Sequence, residues 1–175
     1  VPRSKTGAKA RITFTISTAN LSTNPVQITL KRGVVATTRA TGTASYTFTI
    51  PADITVPVEN DLATFTDIEI FEGTYLTQTY TVSASNPNQR FILDNPNIDT
   101  SSIRVSVDED GTGPLQAVTY TLANSLFDVT STSRVFFIQE IEDERYELIF
   151  GDGVFGKKLE SPATITVNYN VTHGE

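Results

Sequence analysis

Apolar and polar residues alternate with a period of two along most of this chain, the pattern of strands with one buried face. Ile12, Phe14 and Ile16 are separated by Thr13 and Thr15, and the same rhythm returns in Val26, Ile28 and Leu30. It continues in Tyr46, Phe48 and Ile50, in Ile54, Val56 and Val58, in Ile68 and Ile70, and in Leu76, Tyr80 and Val82. Further on, Phe91–Leu93, Ile103–Val107, Ala117–Tyr120, Val135–Ile138 and Arg145–Phe150 are short apolar runs, and Ile165, Val167, Tyr169 and Val171 alternate with Thr164, Thr166, Asn168 and Asn170. Breakers such as Asn24-Pro25, Arg32-Gly33, Thr41-Gly42, Pro51, Glu59-Asn60-Asp61 and Glu72-Gly73 punctuate the runs. About one residue in six is threonine, which suits a pleated surface. The pattern predicts a mainly β protein of two antiparallel, sandwich-like modules in tandem with little helix. The polar stretch Ser85–Gln89 is the expected joint, giving modules over residues 1–86 and 87–175, and only Leu122–Asp128 has the composition of a short helical turn.

The run Tyr146–Lys158 raises a chemical question. Gly151, Gly153 and Gly156 spell G-x-G-x-x-G after a strand-like segment, and Gly151–Lys157 falls one residue short of a Walker A loop. Both phosphate motifs need a helix next, whose free N-terminal amides hold the anion. Here Pro162 and the alternating run from Thr164 come next, and Lys158 stands where a Mg²⁺-binding hydroxyl belongs. The glycines are expected to turn a hairpin, with Gly151 and Gly153 at positive φ and Asp152 bonding its own turn.

Other chemistry is sparse. The single histidine, His173, cannot supply a triad or a histidine metal site, and the chain has no cysteine. Asp108-Glu-Asp-Gly111 begins like a calcium loop but lacks the spacing and distal glutamate of one, so a hairpin turn is expected. Glu140, Glu142, Asp143, Glu144 and Glu147 read as solvated charges around a turn, since a glycosidase cleft normally carries aromatic platforms and the chain has no tryptophan. No catalytic residue, metal site or cofactor is expected, and no apolar run is long enough to span a bilayer as a helix.

Charge is uneven. Residues 1–40 carry seven bases and no acid, a balance of +7, whereas the remainder holds −14. With Phe14 the one aromatic in that stretch, a neighbouring protein surface of opposite charge, or the acidic half of the same chain, fits better than nucleic acid. Arg3, Lys5, Lys9 and Arg11 form the candidate partner-facing basic patch. The chain begins at Val1 and has no methionine, which reads as a portion of something longer.

Several of these segments resemble a known family. Ser133–Glu140, Tyr146–Leu159 with its Phe-Gly-Asp-Gly-x-x-Gly hairpin, Ile165–Tyr169 and Thr172–Gly174 are similar to baseplate wedge proteins of contractile-tailed bacteriophages. They are most like the large wedge subunit of T-even and cyanophage-type viruses, related to the baseplate J-like group. Pro2–Lys5, Ala8, Ala10, Tyr46–Phe48, Ile70–Gly73 and Asn97–Ser101 extend the resemblance in order along the chain. It implies a virion component of the tail baseplate, assembled in the host cytoplasm. Its expected partners are other wedge subunits and, in the full-length protein, a second copy of itself, in a ring around the tail hub. No membrane or small-molecule substrate is implied. A receptor- or carbohydrate-binding β module of a phage tail or adhesin is the alternative.

Overall fold

The computed structural model describes residues 7–39 and 45–172. Arg3, Lys5 and His173 lie outside the described residues. Among those described, thirteen strands form two sheets.

The first sheet contains β1 (Lys9–Ser17), β2 (Gln27–Leu30), β3 (Gly33–Arg39), β4 (Ser45–Ile50), β5 (Ile54–Glu59) and β6 (Leu62–Glu72). Its order is β2-β5-β6-β4-β3, with β1 antiparallel to β6 along nearly its whole length. The β1–β6 ladder slips between Ile12 and Phe14 at a bulge, where Asp67 takes a positive φ of 49° and its N–H donates to the Thr13 hydroxyl at 3.0 Å. The apolar alternation in β1, β4, β5 and β6 builds one core of Ile50, Ala63, Phe65, Ile68 and Ile70, capped by Phe14 stacked on Phe65 at 4.9 Å.

The second sheet holds β7 (Thr74–Thr81), β8 (Phe91–Leu93), β9 (Ile98–Asp108), β10 (Val118–Leu122), β11 (Val135–Glu140), β12 (Tyr146–Phe150) and β13 (Thr164–Val171), in the order β7-β13-β9-β10-β11-β12-β8. It curls until its edges approach. The Tyr80 hydroxyl of β7 donates to the Ile92 carbonyl of β8, Gln78 donates to the same carbonyl at 3.3 Å, and the Tyr80 and Phe91 rings meet edge-on at 5.5 Å. The barrel-like interior is filled by Leu93, Ile98, Val105, Val107, Tyr120, Phe136, Tyr146, Leu148, Ile165, Val167 and Tyr169. Burial in this ring pushes the Tyr80 phenol well above its ordinary range.

The protein is thus mainly β in two modules, as the alternation predicts, with three departures. β10 and β11 run parallel, Thr121 beside Val135, because the chain crosses back through residues 123–134 instead of turning a hairpin. That crossover contains no helical turn. Among the described residues a short 3-10 turn forms at Pro114–Gln116, started by its proline, whereas Glu142–Glu144 is a tight turn in which Asp143 and Glu144 take left-handed φ of 62° and 56°. The change of sheet falls at Gly73. β7 pairs with β13 from Thr74↔Val171 to Thr81↔Thr164, so Ser85–Gln89 is a turn inside the second sheet. Local alternation cannot tell which distant strand β7 will join.

A polar seam connects the sheets. Asn170 of β13 accepts from the Thr49 hydroxyl at 2.5 Å and donates to the carbonyls of Phe71 and Glu72 at 3.2 and 3.3 Å. Gly73 sits beside it at φ 139°, where a Cβ would lie 2.4 Å from the Val171 carbonyl oxygen. Only glycine fits that position and that φ.

Candidate functional site

The loops after β9, β12 and in the β10–β11 crossover gather at one end of the second sheet. The glycine segment is the centre of this end. Gly153 and Gly156 take positive φ, 88° and 95°. Gly151 does not, which corrects the expectation for it: its requirement is steric, since a Cβ there would stand 2.1 Å from the Gly156 carbonyl carbon. Asp152 Oδ1 accepts the N–H groups of Val154 and Phe155, both at 2.8 Å. These two bonds hold its carboxyl below the usual aspartate range.

The remaining amides of the turn are taken as well. Gly153 N–H donates to the Gly156 carbonyl at 3.0 Å, Gly156 N–H to Thr130 at 2.9 Å, and Lys157 N–H to Ser133 at 2.8 Å. Five consecutive amides therefore point at protein oxygens, and the chain then enters β13, not a helix. A phosphate cradle needs free amides converging on an anion. This segment is a closed turn riveted to the crossover loop.

Glu109 ties the third loop to the other two. Its carboxylate accepts a bidentate pair from Arg134, at 2.8 and 3.1 Å, the Lys157 ammonium at 2.6 Å and the Tyr120 hydroxyl at 2.7 Å. The Arg134 bonds are the largest cause holding its carboxyl down to about 2, against the desolvation of a partly buried group, and Lys157 and Tyr120 add to them. Burial and the adjacent carboxylate push the Tyr120 phenol up. Asp108, one residue earlier, accepts from the N–H groups of Thr112 and Gly113 at 3.3 and 2.7 Å. The acidic run Asp108–Asp110 is thus a turn whose first two carboxylates serve the fold. Nothing local in the sequence marks Glu109, because its three partners lie 11, 25 and 48 residues away.

The basic patch is only partly assembled among the described residues. Lys9 and Arg11 lie on the exposed face of β1. Lys9 reaches across the seam to Ser101 Oγ at 2.6 Å and sits over the Phe71 ring at 5.1 Å, while Arg11 faces Glu69 at 3.6 Å. In the other acidic cluster, Glu142–Glu144 form the exposed turn between β11 and β12, and Glu147 is paired with Arg90. That pair lines an open cleft of about 730 Å³ beside β12, together with Phe91, Phe150 and Leu159. Its lining is the rim of the barrel core and a cation–anion pair satisfied within the chain.

A rigid β scaffold with loops locked at one end defines a structural module. Residues 77–171, which run from within β7 to the end of β13, match the family described as bacteriophage baseplate wedge protein gp6, third domain. The chain belongs to this family of phage baseplate wedge proteins. No curated protein matches it.

Proposed function

We propose that this chain is a building block of the phage tail baseplate wedge that works by protein–protein contact, in a ring around the tail hub, and catalyses no reaction. The observation that carries this reading is the family match over the seven-stranded sheet. The occupied amides of the glycine turn support it, because the segment with the best claim to chemistry is used up in holding the fold. The neighbours are other wedge subunits and a second copy of the full-length protein, with assembly in the host cytoplasm before incorporation into the virion.

The acid-free first 40 residues give the contact a sign. Arg3, Lys5, Lys9 and Arg11 face an acidic wedge neighbour in this reading, with Lys9 also bracing the seam. Reversing Lys5, Lys9 and Arg11 to Glu is expected to weaken wedge assembly by about tenfold, most strongly at low salt. Pull-downs of the full-length protein with its wedge neighbours check this. Unchanged assembly at low and moderate salt would remove the basic patch from the reading. Specific glycan binding on an array, with absence from purified tails, would replace the whole reading with a receptor-binding one.

A further inference from the structure

The loop end of the second sheet displays large apolar side chains that the fold does not cover. Phe127 is 84% exposed, Val154 63% and Leu115 96%, with Leu126 and Phe155 also exposed. Isolated exposed apolar residues are ordinary, but these sit on three loops bound to one another. Gly156 N–H to Thr130 and Lys157 N–H to Ser133 join the glycine turn to the crossover carrying Leu126 and Phe127. Glu109 joins both to the loop that continues into Leu115.

These residues are held as well as exposed. Asp152 fixes the backbone of Val154 and Phe155 through two 2.8 Å bonds, and Phe127 N–H donates to Ser125 Oγ at 3.3 Å. Apolar groups presented on a locked backbone lose little conformational freedom on docking, which favours a binding role over a loose loop. Exposed carboxylates stand beside them. Asp128 follows Phe127 directly, Asp152 precedes Val154 by two positions, and Asp110 is exposed on the third loop. The cations Arg134 and Lys157 are drawn to Glu109, leaving Lys158 as the exposed base of the glycine turn.

We infer that this tip is a docking surface that inserts Phe127, Val154 and Phe155 into a concave apolar pocket on a different baseplate protein, bordered by Lys or Arg side chains that face Asp110 and Asp128. A projecting apolar knob calls for a concave partner, and the carboxylates specify the sign of its rim. They also oppose an anionic bilayer, which would repel them. The inference rests on the baseplate reading and concerns a surface apart from the basic first strand.

The test uses the full-length protein, free and within purified tails. Hydroxyl-radical labelling of Phe127 and Phe155 is expected to fall at least about threefold on assembly, since a buried anchor excludes solvent. Carbodiimide coupling in the same tails is expected to join Asp110 or Asp128 to a lysine of another baseplate protein. A Phe127→Ser, Val154→Ser variant should keep its melting temperature, both side chains being exposed, yet enter wedges about tenfold less well. Labelling that is the same in free and assembled protein would overturn the inference while leaving the baseplate reading standing. Absence of the chain from tails would instead overturn that reading. Coupling of the tip to a second copy of this chain, or co-flotation with vesicles of phosphatidylcholine and phosphatidylglycerol, would overturn the stated partner.

Discussion

The two sheets solve the same problem, burying one face of Thr-rich strands, with unequal resources. The seven-stranded sheet wraps on itself, so side chains from all of its strands meet in one interior that includes Tyr120, Phe136, Tyr146 and Tyr169. The six-stranded sheet stays open, and its core cluster has just Ile50, Ala63, Phe65, Ile68 and Ile70 buried among the described residues. Each large side chain fully buried is worth about 1.5–3 kcal/mol, so the closed sheet commands far more hydrophobic stabilisation. The open sheet leans on its neighbour through Asn170, Gly73 and Lys9. Closure, not strand count, is expected to separate an autonomous module from a dependent one.

The largest effect should come from cutting the chain at the change of sheet. A fragment of residues 74–175 is expected to fold cooperatively, whereas residues 1–73 alone should show no cooperative melt. Circular dichroism and dispersed amide spectra of both fragments measure this. A stably folded 1–73 would abolish the distinction between the sheets. This division differs from the one at Ser85–Gln89, and the fragment ending at residue 86 should therefore carry β7 as an unpaired, aggregation-prone strand.

Next comes the glycine turn, on which the end of the closed sheet depends. Gly151→Val places a branched side chain where a single Cβ already lies 2.1 Å from backbone, and the cost should be at least about 3 kcal/mol. The denaturant midpoint should fall with the second sheet, not the first. A variant melting like wild type would show that residues 151–156 are not braced by this close approach.

Glu109→Gln should cost about 2 kcal/mol at neutral pH, because Arg134 and Lys157 lose a bidentate and charge-assisted partner while all three groups keep some access to water. The sign with pH is set by the depressed folded value. Glu109 contributes its stabilisation fully above its ordinary value of 4.5 and loses it as pH falls toward about 2. Wild type should therefore lose stability between pH 5 and 2, and the gap to the Gln variant should narrow over that range. A gap constant from pH 7 to 2 would mean that the charge on Glu109 is irrelevant.

The sequence discloses what is local and hides what is distant. Strands β1, β4, β5 and β13 are legible because one face is buried and the period of two survives. β3 does not stand out, since Val34, Val35 and Ala36 run together and its ladder with β4 slips between Val34 and Ala36. The glycine segment is readable as a turn from Pro162 and the alternating strand beyond it. The reason for Gly151 is not, since close approach to Gly156 leaves no trace in sequence. Glu109 and the exposed tip are hidden for the same reason: their meaning comes from loops that only the curled sheet brings together.

The smallest expected effect probes the seam itself. Asn170→Ala removes the bonds to Thr49, Phe71 and Glu72 while sparing its own N–H, which donates to Ser102 Oγ at 2.8 Å. The global cost should be about 1.5 kcal/mol, three buried hydrogen bonds taken at the low end of their usual net worth. Its distribution matters more than its size. Amide exchange should quicken in β4 and β6 and hardly change in β9 and β12, since the closed sheet keeps its own core. Thr49→Val should reproduce the part owed to their shared bond, and the double variant should be no worse than Asn170→Ala alone, the signature of that one bond. Equal loss of protection in both sheets would mean that Asn170 serves the barrel and not the joint, and the open sheet would have to owe its stability to something other than its neighbour.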